Sequence, residues 1–315
     1  YVLRIVNNGN VQPEAMNNKT HELPQQKATT RTFDDPSSCG FLHETILPGL
    51  TSIIVLIHNQ LDQTKKCLKS IRKFTPESHE IIFVDNASSD GTRKWLQVQV
   101  KENKNYSFVE NKEAGGYAAR IDQGITRAQG EYILLLSQSV VVGPDWLKGM
   151  TACLNTAPDA GIIGPMADKV EGIQKIGDTL DCTADRFDSC ALSFREKHLN
   201  RRIPSRNLSD FCLLFRRQLV EKIGLLDERF TTADFGVEDF CLRVALKSHT
   251  NYIAGDVFVF NQEEEKTPSQ RSTIEKKWTL TTTSSEGREL LVLKTRELAA
   301  DLQAKGKTDQ AIEAL

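Results

Sequence analysis

Two stretches decide the architecture: Thr51-Ser52-Ile53-Ile54-Val55-Leu56-Ile57-His58-Asn59, and Glu80-Ile81-Ile82-Phe83-Val84-Asp85-Asn86-Ala87-Ser88-Ser89-Asp90-Gly91-Thr92. Each begins as a run of β-branched and other apolar residues with almost nothing polar in it, as expected of a strand buried on both faces. Between them Leu61, Cys67, Leu68 and Ile71 recur at roughly helical spacing. The Asp-Gly turn at 85–91 then opens a helix through Trp95 and Leu96. Further out, residues 106–109 predict a short third strand, 115–128 a helix of small residues and 132–136 a fourth strand. Strand and helix alternate, which predicts an α/β fold with a doubly wound, mostly parallel sheet flanked by helices.

The later half is less regular. Residues 162–170 and 178–193 read as irregular strands and loops rich in Asp, Thr and Ser. A strand is expected at 211–215, helices at 217–223 and 238–246, and one or two short strands at 251–260. Four regions follow. Residues 1–48 are a polar N-terminal arm or the end of a preceding module, and 49–261 form the α/β domain. Residues 262–285, with Glu263-Glu264-Glu265-Lys266, are a polar linker or mobile loop. Residues 286–315 read as a helical hairpin. There, Leu302-Gln303-Ala304-Lys305-Gly306 and Ala311-Ile312-Glu313-Ala314-Leu315 resemble the start of a tetratricopeptide array, a surface on which a protein partner could dock. The chain opens on Tyr1, so it reads as a piece of a larger protein.

Composition narrows the function. Lys and Arg total 40 against 42 for Asp and Glu, a net charge of -2 over 315 residues, so a nucleic-acid partner is not expected. No apolar run approaches the ~18 residues of a membrane span. The 7 cysteines are dispersed without a Cys-x-x-Cys pair, which predicts reduced thiols, a cytoplasmic setting and no zinc site.

In an open parallel sheet, ligands bind beyond the carboxyl ends of the strands. Those ends carry His58-Asn59, Asp85 to Thr92, Asn111 to Tyr117 and Ser137-Gln138-Ser139. Neither a Gly-x-Gly-x-x-Gly loop nor a Walker sequence is among them, so a Rossmann dinucleotide enzyme and a P-loop ATPase are excluded.

Taken in order and spacing, these motifs resemble the family 2 glycosyltransferases of GT-A fold. So do Gly130 to Leu136, Gly224-Leu225-Leu226-Asp227-Glu228-Arg229-Phe230, Glu238-Asp239-Phe240-Cys241-Leu242-Arg243 and Ala254 to Val259. The resemblance covers residues 50 to about 260 and implies sugar transfer, with inversion, from a nucleoside-diphosphate sugar to a carbohydrate or protein acceptor. A UDP-sugar is the donor first expected. It places His58 beside the nucleotide base, Leu56 with its backbone toward the base, Asp85 accepting a hydrogen bond from the base, and Gly116 close to the nucleotide. It puts Ser137 and Ser139 at the diphosphate, and Glu238 or Asp239 as the base that deprotonates the acceptor.

Three positions depart from the family pattern. Ser137-Gln138-Ser139 stands where a DxD motif would hold Mg²⁺ or Mn²⁺, so no metal ligand is assigned. The usual acidic pair would fall at Gly236 and Val237, two places before Glu238 and Asp239. Phe260 and Asn261 replace a histidine pair. A cation could cover the diphosphate instead, either Arg120 or a Lys or Arg from the 262–278 segment. A catalytically inactive copy of the fold, serving as a binding or scaffolding module, is the alternative reading.

Overall fold

The computed structural model describes residues 46–170, 172–176, 182 and 186–262. The expected linker beyond Gln262, the helical hairpin and all but the last residues of the N-terminal arm lie outside the described residues. Strand β1 (Leu47–Ile57) begins ahead of Thr51, where the unbroken apolar run starts, and its register shifts between Leu47 and Thr51. Helix α1 (Leu61–Phe74), β2 (His79–Asn86), α2 (Thr92–Glu102), β3 (Tyr106–Asn111), α3 (Tyr117–Arg127) and β4 (Gly130–Ser137) follow, the alternation that the apolar runs predict. The strands β1 to β4 pair in parallel in the order β3-β2-β1-β4. Order therefore reverses between β1 and β4, which is where a doubly wound sheet opens a crevice.

Alternate residues of β1 feed two cores, one on each face of the sheet. Ile54 and Leu56 pack with Ile121 and Ile125 of α3, whereas Ile53, Val55 and Ile57 pack with Cys67, Leu68 and Ile71 of α1. Period-two side-chain alternation makes this unavoidable once the strand is central. Burial pushes the Cys67 and Cys241 thiols up to about 12, so both behave as apolar packing groups rather than nucleophiles.

The second half is more ordered than its polarity suggests. After β5 (Val140–Val141), helix α4 (Trp146–Thr156) is an element the strand pattern alone does not predict. Its Trp146, Leu147, Met150 and Leu154 lie in the same core as α1. Strand β6 (Ala160–Ala167) is regular and almost wholly buried, and α5 (Phe187–His198) is a helix where loops were expected. Only Phe187, Ala191 and Phe194 of α5 are buried, so three residues at helical spacing hold an otherwise polar segment on the domain. The chain continues through β7 (Arg202–Ser205), β8 (Cys212–Arg216), α6 (Arg217–Ile223), α7 (Ala233–Leu246) and the single strand β9 (Thr250–Asn261). Strand β8 inserts antiparallel between β4 and β6.

Helices α3 and α7 meet across the loop at 224–230. Asp122 of α3 accepts the Leu226 N–H at 3.1 Å, and its other oxygen is buried without a hydrogen-bond partner. Burial raises the Asp122 pKa well above the ordinary 3.8; Glu228 and Asp227 add to this, while the Leu226 N–H and Arg243 oppose it. A carboxyl raised in the folded state stabilises the fold fully below 3.8, and that contribution is lost as pH climbs through the raised value. Asp122→Asn is therefore expected to gain on the parent chain with rising pH. The gain should be roughly 1–3 kcal/mol near neutrality and should vanish toward about pH 4. Urea unfolding of both chains across that range checks it, and a pH-independent difference would rule out titration of Asp122.

Candidate functional site

A carboxamide stands at the carboxyl end of each of the parallel strands β1 to β4: Asn59, Asn86, Asn111 and Gln138. An amide side chain both donates and accepts, so it can satisfy irregular backbone where the ladder stops. Gln138 does this across the switch point. Its Oε1 accepts the His58 N–H at 2.8 Å, and its Nε2 donates to His58 O at 3.3 Å, Asn59 O at 3.1 Å and Gln60 Oε1 at 3.1 Å. The turn so held is strained: Asn59, Gln60 and the neighbouring Ala87 all have left-handed φ, at 55°, 62° and 60°. Such residues cost on the order of 1–3 kcal/mol each and gather at functional sites.

His58 lies in the middle of this network. Its Nδ1 is 2.6 Å from Asn86 O, and because a carbonyl only accepts, Nδ1 is the protonated nitrogen. Nε2 then accepts from Asn59 Nδ2 at 3.2 Å. Both ring nitrogens are engaged in this arrangement, so the ring can offer a base only its faces.

The other expected site residues are placed as follows. Leu56 lies inside the ladder, opposite Val84 on one side and Ser137 on the other, with its side chain buried; its backbone belongs to the sheet interior. Asp85 is 0% exposed. One of its oxygens accepts Ser88 N–H at 3.1 Å and the other accepts Arg93 Nε at 2.9 Å, so Asp85 anchors the turn and α2. Both oxygens that the expected hydrogen bond to a base would use are engaged within the chain in this state.

Gly116 does permit a close approach, but to this chain's own backbone. A Cβ there would stand 3.1 Å from Thr231 Cα, and the adjacent Tyr117 N–H donates to Thr231 O at 2.9 Å. Arg120 folds back over Gly115, where an added Cβ would come within 2.5 Å of its guanidinium. Its Nε, Nη1 and Nη2 donate to Asn86 Oδ1, Asn111 Oδ1 and Glu113 O at 3.1, 2.6 and 2.8 Å. Burial lowers its pKa, against the pull of Glu113. In this state the guanidinium fastens the 113–116 loop.

Ser137 and Ser139 hydrogen-bond to each other, Oγ to Oγ, at 2.8 Å, and Ser139 is fully buried. Two hydroxyls and one committed carboxamide do not make a Mg²⁺ or Mn²⁺ site, which draws on carboxylates. Among the described residues no group of three or more His, Cys, Asp and Glu side chains could hold a metal. The donor set at the end of β4 does not fit the cation.

The two candidate bases differ sharply. Helix α7 begins at Ala233, so both lie within the helix rather than in its first turn. Asp239 is 0% exposed and accepts Arg243 Nε at 2.8 Å, four residues on, which makes it a buried structural carboxylate. A base must reach the proton it removes, and in this state Asp239 is sealed from solvent. Glu238 is half-buried on the next face of α7, and its Oε1 accepts from Asn207 Nδ2 at 3.3 Å. Gly236 and Val237, where an acidic pair was expected, are both buried.

His58, Asp85 and Arg120 are thus joined in one network through Asn86 and Asn111, and Ser137 borders it through the adjacent Gln138. Glu238 belongs to a different wall. The carboxamides that organise the network were not among the expected site residues. Their sequence signal was their repetition, one at the carboxyl end of each strand.

The order reversal between β1 and β4, the parallel β1–β4 half and the inserted antiparallel β8 define a GT-A-type fold. Solved structures share it. The Pyrobaculum calidifontis mannosyltransferase PcManGT in complex with GDP-Man and Mn²⁺ superposes with a TM-score of 0.52 at 17% identity, over 90% of this chain and 77% of that one. Staphylococcus aureus TarS 1-349 in complex with UDP-GlcNAc gives 0.54 at 16%, over 80% and 66%.

The model of glycosyl transferase family 2 matches residues 52–224, and the chain belongs to that family. Among curated proteins it is 30% identical over 178 residues to glycosyltransferase AglE of Haloferax volcanii, covering 55% of this chain and 54% of that protein. It is 31% identical over 99 residues to the poly-beta-1,6-N-acetyl-D-glucosamine synthase of S. aureus, covering 31% of this chain and 24% of that protein. The chain therefore spans about half the length of the first relative and about a quarter of the second. No helix among the described residues is long and apolar enough to cross a membrane.

Proposed function

We propose that this domain transfers a sugar, with inversion, from a nucleoside-diphosphate sugar to a carbohydrate or protein acceptor, and that a UDP-sugar is the donor. The observation that carries this reading is the strained, carboxamide-tied crown over the β1/β4 switch point of a family 2 domain. The nucleotide lies there against the face of His58. Glu238 takes the proton from the acceptor hydroxyl. The acceptor oxygen then bonds the anomeric carbon as the bond from that carbon to the diphosphate oxygen breaks, and the nucleoside diphosphate leaves with the electron pair.

No step runs through a metal bound at Ser137-Gln138-Ser139. The cation assigned to the diphosphate is Arg120, which must exchange at least one of its three loop contacts to meet the phosphates. Among the described residues the buried, unpaired thiols of Cys67, Cys153, Cys212 and Cys241 support a cytoplasmic setting.

Calorimetric titration of the chain with UDP and GDP, with and without Mn²⁺, tests the reading. Micromolar binding that is indifferent to Mn²⁺ is the expected result. The neutral donors at the β4 end and the engaged state of Arg120 favour a second reading, a catalytically silent binding module. No nucleotide binding by a cooperatively folded chain would select it.

A further inference from the structure

The turn at Gly172–Gln174 and the segment 205–209 line an open cleft of about 390 Å³, within the roughly 300–1,000 Å³ usual for small-molecule sites. Its floor is rigidly built. Gln174, 2% exposed, donates Nε2 to Pro165 O of β6 at 2.9 Å and accepts the Ser209 N–H at 2.7 Å. Its rim offers three unlike groups. Ile173 stands 58% exposed, a bare apolar side chain beside a polar wall. Arg206 is exposed, and its guanidinium is in no ion pair or hydrogen bond with the described residues, although its carbonyl is held by Asn251 Nδ2 at 3.3 Å. Asn207 ties the cleft to α7 through its bond to Glu238.

We infer that this cleft receives the acceptor and that the acceptor is a saccharide bearing an anionic group, phosphate or carboxylate, held by Arg206. The inference rests on the sugar-transfer reading and on Glu238 as its base. A guanidinium presents a planar fork that meets phosphate or carboxylate through two parallel hydrogen bonds. The apolar side chain of Ile173 suits the C–H face of a pyranose, whose burial is favourable. Charge sets the direction of entry. The anionic end is drawn to Arg206 and repelled by Glu238, which leaves a neutral hydroxyl facing the carboxylate that is to deprotonate it.

Calorimetric or NMR titration of the full chain with glucose 6-phosphate, glucuronate, glucose and inorganic phosphate tests this. One or both charged sugars are expected to bind at least about tenfold more tightly than glucose or phosphate alone, a difference of about 1.4 kcal/mol. Which of them binds distinguishes a phosphate from a carboxylate as the recognised group. Arg206→Gln is expected to bring the charged sugars down to the level of glucose, and Arg206→Lys to restore part of the preference. Neither exposed substitution should change the melting temperature. Equal binding of glucose, binding unaffected by Arg206→Gln, binding of phosphate alone as tight as that of the phosphorylated sugar, or no binding of either charged sugar would each overturn the inference. UDP titrated into the same samples keeps the two readings apart. Loss of UDP binding alone counts against the donor site, and loss of charge preference alone counts against the cleft.

Discussion

Glu238→Gln is expected to slow sugar transfer by about 10²–10⁴-fold while leaving nucleotide binding and the melting temperature unchanged. That range is what a positioned general base contributes to a proton transfer. The carboxamide keeps the size of the side chain and can still meet Asn207, so what is removed is basicity rather than packing. The comparison that makes the result informative is with the adjacent carboxylate. Glu238 is half-buried and bonded to an exposed asparagine, whereas Asp239 is sealed in the core against Arg243. Initial rates with a competent acceptor and UDP titration, both on the same variant, separate chemistry from binding. A variant that turns over at the parental rate would remove Glu238 from the mechanism.

Asp239→Ala is expected to act on the fold instead, lowering unfolding stability by about 3–5 kcal/mol. The loss comes less from the missing attraction than from what stays behind. Arg243 has a side chain only 13% exposed and would keep its charge in the core with its carboxylate partner gone. Its Nη1 also donates to Ile223 O at 2.6 Å, so the end of α6 and the start of the 224–230 loop loosen with it. Asp239→Asn, which keeps an acceptor for Arg243 Nε, should lose less. Denaturant midpoints of the two variants, read beside that of Glu238→Gln, check the assignment. An Asp239→Ala chain as stable as its parent but inactive would reverse the roles given to the two acids.

The outcomes at these neighbouring positions show how far local sequence reaches. Glu238 and Asp239 look equivalent in the chain, both acidic and both before an apolar turn. On a helix successive side chains are about 100° apart, so one can face a cleft while the other faces the core. Which one does so depends on where α7 sits against α3 and β6, and that is decided by contacts far away in sequence. Asp85 gives the same lesson. As the last apolar-run neighbour before an Asp-Gly turn it reads as a ligand-facing acid, and Arg93, in the first turn of α2, folds back and pairs with it.

Sequence alone determined the α/β alternation of the first four strands and the place where a ligand should be sought. Those features follow from periodicity and from short range: an unbroken apolar run makes a doubly buried strand, and the strand must end in a polar turn. It also showed that the end of β4 lacks carboxylates, since composition at a position needs no coordinates. Only the tertiary structure decided which polar side chains are tools and which are fastenings. Gln138 meets His58 across 80 residues, and Arg120 meets Asn86 across 34. A hydrogen bond that spans such distances leaves no periodic trace, because its partners are brought together by the packing of whole elements and not by the residues that lie beside them in the chain.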